Sequence, residues 1–204
     1  MKVTLDVRDD LIDKEVAEKL SKEVVSYIIA QVKMNSKKDK QFELDKRYLR
    51  MARIWSENSY AIRRKVGCLI VKDRMIISDG YNGTPAGFEN VCEDVECTTE
   101  TGPGTLISCQ GINNHCLNCK FAKLTTKPYV LHAEANALSK LARSGNNSEG
   151  ATLYVTDEPC LDCAKMIIQA GIKRVVFWRE YHTHEGTQLL LRAKIQIDQI
   201  SNID

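Results

Sequence analysis

Two short motifs, His132-Ala133-Glu134 and Pro159-Cys160-Leu161-Asp162-Cys163, constrain this chain more than anything else in it. Together they supply three zinc ligands and one free carboxylate, and a fold that uses them must bring the two segments to one point. A structural zinc site is closed by four protein ligands, whereas a hydrolytic one keeps three and leaves the fourth position for water. The donor set is therefore catalytic in kind, with His132, Cys160 and Cys163 on the metal and Glu134 free to carry protons. A Cys-x-x-Cys pair alone would fit a redox pair or half of a zinc ribbon. The upstream His-x-Glu separates this pattern from both.

The flanking residues give each motif a place. Pro159 suits the first turn of a helix, where a missing N–H costs nothing, and Gly171 closes the apolar run Ala164, Ile167, Ile168. Cys160 and Cys163 are then expected in a first helical turn, three apart on one face, where the helix dipole favours thiolates. His132 opens a second helix of strong helix formers that stops near Ser144-Gly145.

Residues 1–41 read as an appendage. Val3, Leu5 and Val7 alternate as in a short strand, and Ile12, Val16, Leu20, Val24, Ile28 and Val32 mark one face of a long helix. The Lys-rich stretch Lys33 to Lys40 reads as a linker. A domain over 42–204 begins with a helix through Tyr48, Met51, Ala52 and Trp55. Strands over Val66–Val71 and Met75–Tyr81 follow, joined by a turn at Lys72-Asp73-Arg74. After residue 130 the order is the His132 helix, a strand over Thr152–Thr156, the Cys160 helix, a strand over Arg174–Trp178, a helix around Gln188–Arg192 and a strand near Ile195–Ile197. Such alternation predicts parallel strands sandwiched between helices, an α/β class.

Composition narrows the function. The chain has 204 residues, 43% apolar and 27% charged, enough for one full-sized core with appendages. The net charge of +2, with both signs dispersed, implies a small charged substrate rather than a long nucleic-acid footprint. No apolar run is long enough to span a membrane, and the start Met1-Lys2-Val3-Thr4-Leu5-Asp6 lacks the apolar run of a signal peptide, so a reducing cytoplasmic location is expected. Eight cysteines in that compartment read as metal ligands and core thiols rather than disulfides, and Cys68, inside an apolar strand, reads as a buried thiol.

Gly80-Tyr81-Asn82-Gly83-Thr84-Pro85-Ala86-Gly87, His132-Ala133-Glu134-Ala135-Asn136-Ala137, Tyr154-Val155-Thr156 with Pro159-Cys160-Leu161-Asp162-Cys163, and Gln169-Ala170-Gly171-Ile172-Lys173 together resemble the deoxycytidylate (dCMP) deaminase family, over roughly residues 45 to 200. The resemblance implies a three-layer αβα sandwich around a five-stranded mixed sheet, of the cytidine deaminase-like kind. It implies zinc-dependent hydrolysis of dCMP to dUMP and ammonia, supplying dUMP for thymidylate synthesis. It further implies a homo-oligomer, a hexamer in many members, activated by dCTP with Mg2+ and inhibited by dTTP. Zinc makes hydroxide available near neutral pH, and Glu134 passes the water's proton to ring nitrogen three and then to the departing amine. One carboxyl acting as base and then as acid needs a pKa tuned by burial and by the metal.

Substrate contacts carried over from the resemblance are Asn82 for the deoxyribose, Arg63 for the phosphate, Ala133, and Tyr181 for the base. An ordinary left-handed turn is the alternative for Asn82, since Asn-Gly is a turn signal by itself. Arg64 and Lys65 are alternatives to Arg63. His182 and His184 read as surface or substrate-edge histidines. The insertion 92–128 is rich in Gly, Thr, Asn and Ser and cannot bury enough surface to order itself, so a crosslink is expected there. The ligands chosen for a second, structural zinc are Cys97, Cys109, Cys116 and Cys119, with Cys92 and His115 as substitutes. Two rival functions stay open: a different zinc deaminase acting on another nucleoside or base, and a non-catalytic zinc-containing nucleotide-binding module.

Overall fold

Three stretches of apolar, β-branched sequence lie side by side in the middle of one sheet: β1 (Gly67–Lys72), β5 (Thr152–Asp157) and β6 (Arg174–Arg179). A computed structural model describes residues 14–98 and 121–204 of the chain. Two compact units divide between Leu44 and Asp45. The helix α1 runs Lys14–Ser56, so the Lys-rich stretch 33–40 is helical rather than a linker. Lys, Gln and Glu are good helix formers, and neither Gly nor Pro interrupts residues 14–56 to stop them. The expected strand at Val3–Val7 lies outside the described residues.

From Asp45 onward the order is the end of α1, β1, β2 (Met75–Tyr81), β3 (Glu93–Thr98), β4 (Phe121–Thr126), α2 (Ala133–Ala142), β5, α3 (Leu161–Gln169), β6, α4 (Glu185–Arg192) and β7 (Gln196–Gln199). The five-stranded sheet has the order β2-β1-β5-β6-β7. β1 is antiparallel to both β2 and β5, while β5, β6 and β7 are parallel, which gives the expected mixed sheet. Parallel neighbours need crossover connections, and α3 and α4 supply them. The β1–β2 turn places Asp73 and Arg74 at φ +50° and +65°, the left-handed pair a two-residue hairpin requires.

Alternate residues of the central strands sort into the two faces. Cys68, Ile70, Leu153, Val155, Val175 and Phe177 pack with Ala133, Ala137 and Leu141 of α2, Ala164 and Ile167 of α3 and Leu190 of α4. On the other face Tyr154 stacks on Tyr48 of α1, with ring centroids 4.9 Å apart. Arg174 is held there by Asp45 at 2.9 and 2.7 Å, and Tyr154 donates its hydroxyl to the same carboxylate at 2.6 Å. Helices thus cover both faces.

β3 and β4 form a separate two-stranded antiparallel hairpin, with Glu93 opposite Thr126, at the two roots of the insertion read from sequence as irregular. Gly80 of β2 faces the Ala133 carbonyl and the Ala137 amide so closely that a Cβ has no room. That close approach sets the first turn of α2, and with it the residues before it, against the sheet.

Candidate active site

His132 and Cys160 are the N-cap residues of α2 and α3, and neither side chain makes a capping hydrogen bond. Helix α3 starts at Leu161, so Cys160 lies just ahead of the first turn and Pro159 two residues before Leu161, whereas the sequence reading puts both in the first turn. The imidazole and the thiol are left free, and they point at one another. His132 Nδ1 lies 3.4 Å from Cys160 Sγ and 3.5 Å from Cys163 Sγ. In a tetrahedral zinc site with Zn–S about 2.3 Å and Zn–N about 2.0 Å, an N···S edge is about 3.5 Å. The three donors therefore fit zinc, and among the described residues they are the group of His, Cys and carboxylate side chains near enough to share an ion.

The electrostatics agree. A hydrogen bond from Cys163, aided by one from His132, lowers the Cys160 thiol to about 4. The same bond to Cys160, with burial, pushes Cys163 up. A zinc ion held by this pair would take both sulfurs as thiolates, so its binding would release protons. Glu134 is 4% exposed, and burial raises its carboxyl to about 7.

His132, Cys160 and Glu134 line a cavity of about 250 Å3. Asn82, Arg63, Ala133 and Tyr181 line it too, so every substrate residue read from the sequence reaches the same space. Asn82 is not a left-handed turn, since its φ is not positive. Its side chain staples the preceding loop, accepting from Val66 N at 2.8 Å and donating to Arg64 O at 2.9 Å. Arg63 and its neighbours separate cleanly. Arg64 Nε pairs with the buried Asp157 at 2.6 Å, and Lys65 Nζ donates to Glu57 O at 3.3 Å. Arg63 is exposed, donates Nη1 to Thr126 Oγ1 at 3.3 Å, and meets no carboxylate through its guanidinium among the described residues. Of the three cations it is the one with charge to spare at the cavity.

Two buried acids that sequence reading passed over brace the site. Asp157 holds Arg64 and, at 2.7 Å, Arg179. Glu158 accepts from Thr187 Oγ1 at 2.6 Å, from Tyr181 N at 3.1 Å, and contacts His184 Nδ1 at 3.0 Å, fixing the segment that carries Tyr181. The available signal was two adjacent acids closing the apolar run Leu153-Tyr154-Val155 just ahead of the Cys motif. His184 is thus a partner of Glu158, and His182 stacks on Tyr181 at 4.0 Å.

Of the second-metal candidates, Cys109, His115, Cys116, Cys119 and the side chain of Cys97 lie outside the described residues. Cys92 is buried, and so is Cys68. Burial, with Glu93 beside it, raises the Cys92 thiol.

Comparison with known proteins gives a consistent result. The family described as cytidine and deoxycytidylate deaminase zinc-binding region matches residues 42–179. The chain is 36% identical over 139 residues to ComE operon protein 2 of Bacillus subtilis (strain 168), covering 68% of this chain and 61% of that protein's length. It is 38% identical over 173 residues to the deoxycytidylate deaminase of Enterobacteria phage T4, covering 73% of this chain and 86% of the phage protein. The crystal structure of the dCMP deaminase from cyanophage S-TIM5, in complex with dCMP and dUMP, is similar at 35% identity and a TM-score of 0.58, covering 75% of this chain and 93% of that one.

Proposed function

Because the chain belongs to the cytidine and deoxycytidylate deaminase family, we propose that it hydrolyses dCMP to dUMP and ammonia, supplying dUMP for thymidylate synthesis. One observation carries this reading: a three-donor metal site and a buried Glu134 share a cavity with Arg63, a cation free for a phosphate. When bound, zinc supplies a water activated for attack near neutral pH. Everything else falls to the side chains. Glu134 carries the proton, first to ring nitrogen three, making carbon four more electrophilic, and then to the departing amine. Its burial keeps bulk water from exchanging that proton.

Arg63 clamps the phosphate, since its guanidinium offers paired donors matched to phosphate oxygens. Asn82 reads the deoxyribose. After its two backbone bonds the amide keeps one hydrogen and one lone pair for the sugar. Tyr181 contributes its ring beside the base, and Ala133 lines the pocket next to Glu134. A non-catalytic zinc module would have no use for a buried carboxyl in this place, and no observation favours another nucleoside or base as substrate.

The same reading includes a second, structural zinc in the cysteine-rich insertion and a homo-oligomer, a hexamer by resemblance. It places dCTP with Mg2+ as activator and dTTP as inhibitor near Gly80 to Gly87, and the protein in the cytoplasm. Family membership supports these points. Among the described residues no helix is long and apolar enough to cross a membrane.

The test is a comparison of catalytic efficiency for dCMP, dCTP, CMP and deoxycytidine. Efficiency for dCMP should exceed that for deoxycytidine by at least about two orders of magnitude, because the bare nucleoside leaves the clamp unpaired and forfeits orientation. Arg63→Ala should erase most of the difference. Equal turnover of deoxycytidine would replace this reading with a nucleoside deaminase.

A further inference from the structure

Arg63 is gripped from two sides by one cross-strand pair. In the β3–β4 hairpin, Glu93 stands directly opposite Thr126. Glu93 is 4% exposed, and its carboxylate accepts from the backbone N–H groups of Ile62, at 3.2 and 3.1 Å, and of Arg63, at 3.3 Å. Thr126, the last residue of β4, accepts the Arg63 guanidinium on its hydroxyl at 3.3 Å. One strand therefore fixes where the main chain of Arg63 runs, and the other fixes which way its side chain leaves it.

The choice of residues is informative. A buried carboxylate is costly unless it is paired, and among the described residues no Lys or Arg pairs with Glu93. Its partners are instead two amides of a loop that has no strand or helix to hold it, between the end of α1 and β1. Both gripping residues border the same cavity as Arg63. Asn82 holds the same loop at Arg64 and Val66, Arg179 donates to the Lys65 carbonyl, and Asp157 holds the Arg64 side chain, so the residues after Arg63 are anchored as well.

We propose that Glu93 and Thr126 are positioning residues that preset Arg63 at the cavity mouth and thereby select a phosphorylated substrate over the bare nucleoside. The proposal rests on the reading of Arg63 as the phosphate ligand. It gives the hairpin that bounds the cysteine-rich insertion a direct part in substrate choice, independent of any metal in that insertion. Its signature is a change in KM for dCMP without a change in turnover of deoxycytidine, because a preset cation matters only to the ligand that carries the anion.

The experiment measures kcat and KM for dCMP and deoxycytidine on the zinc-loaded enzyme, with melting temperature alongside. The proteins compared are the parent, Arg63→Ala, Thr126→Val, Glu93→Gln and the double variant Arg63→Ala/Thr126→Val. Glu93→Gln turns one acceptor oxygen into a donor facing an N–H, and Thr126→Val removes the hydroxyl while keeping the shape. KM for dCMP should rise at least about threefold in Thr126→Val and about tenfold in Glu93→Gln, with efficiency for deoxycytidine unchanged within about twofold. Thr126→Val should add nothing in the Arg63→Ala background. If Arg63→Ala erases the preference for dCMP but Thr126→Val and Glu93→Gln leave KM alone, the positioning role is wrong and the phosphate clamp stands. If Arg63→Ala keeps the preference, the clamp itself is wrong. Equal losses on both substrates assign the pair to the fold and also overturn the proposal. Should Glu93→Gln not fold, the exposed, isosteric Thr126→Val decides.

Discussion

Glu134 and His132 stand two residues apart at the start of one helix, yet their assigned work differs completely, because one side chain faces the other metal donors and its neighbour is buried beside the cavity. That separation makes the roles testable one at a time. Glu134→Gln keeps size and burial but cannot shuttle a proton, so it should retain catalytic zinc while turnover falls by at least about two to four orders of magnitude. Zinc content by atomic absorption and steady-state kinetics on the same preparation check both halves. Near-normal turnover in the zinc-loaded variant would remove Glu134 from the chemistry. Cys68, by contrast, sits in β1 as one more apolar residue of the core.

At the level of elements, what could be read from sequence was whatever left a local mark. The alternation around β1 and β2, the breakers at Asp73-Arg74 and Gly171, and the two metal motifs all repeat or stop within a few residues, and each element is found within a few residues of its expected place. The misses are contacts between distant residues. Glu93 reaches Arg63 across 30 positions and Arg64 reaches the Glu180 carbonyl across 116, and nothing in the intervening periodicity records either. The hairpin β3–β4 was missed for a related reason, since Glu93-Asp94-Val95-Glu96 and Phe121-Ala122-Lys123-Leu124 are short, half-polar runs that become strands only by pairing with each other. The hairpin also frames the next prediction. If the insertion it bounds closes on metal, the purified protein should hold two zinc ions per chain, and Cys116→Ser should lose one of them and lower the melting temperature. A stoichiometry of one, unmoved by that substitution, would end the second-zinc proposal.

Taken as a whole molecule, the sheet explains why the chemistry gathers where it does. β5 and β6 are parallel, so their carboxyl ends open on the same side, and the crossover helix α3 must begin there, delivering Cys160 to the spot that α2 reaches with His132. Gly186 of α4 packs against the backbone of Pro159 and Cys160 without room for a Cβ, so the Cys motif is also pressed into place from behind. The use of His132 and Cys160 as N-caps without capping bonds has a thermodynamic corollary. Two helices begin on residues whose side chains make no capping hydrogen bond, at a position where Ser, Thr, Asp or Asn contributes about 1 kcal/mol. Metal binding and helix capping thus compete for the same two positions. Cys160→Ser should then be inactive and yet, in matched urea melts of the metal-stripped proteins, more stable than Cys160→Ala by about 0.5–2 kcal/mol, because the serine hydroxyl can cap the helix. A serine variant no more stable than the alanine variant would show that the position does not act as a cap.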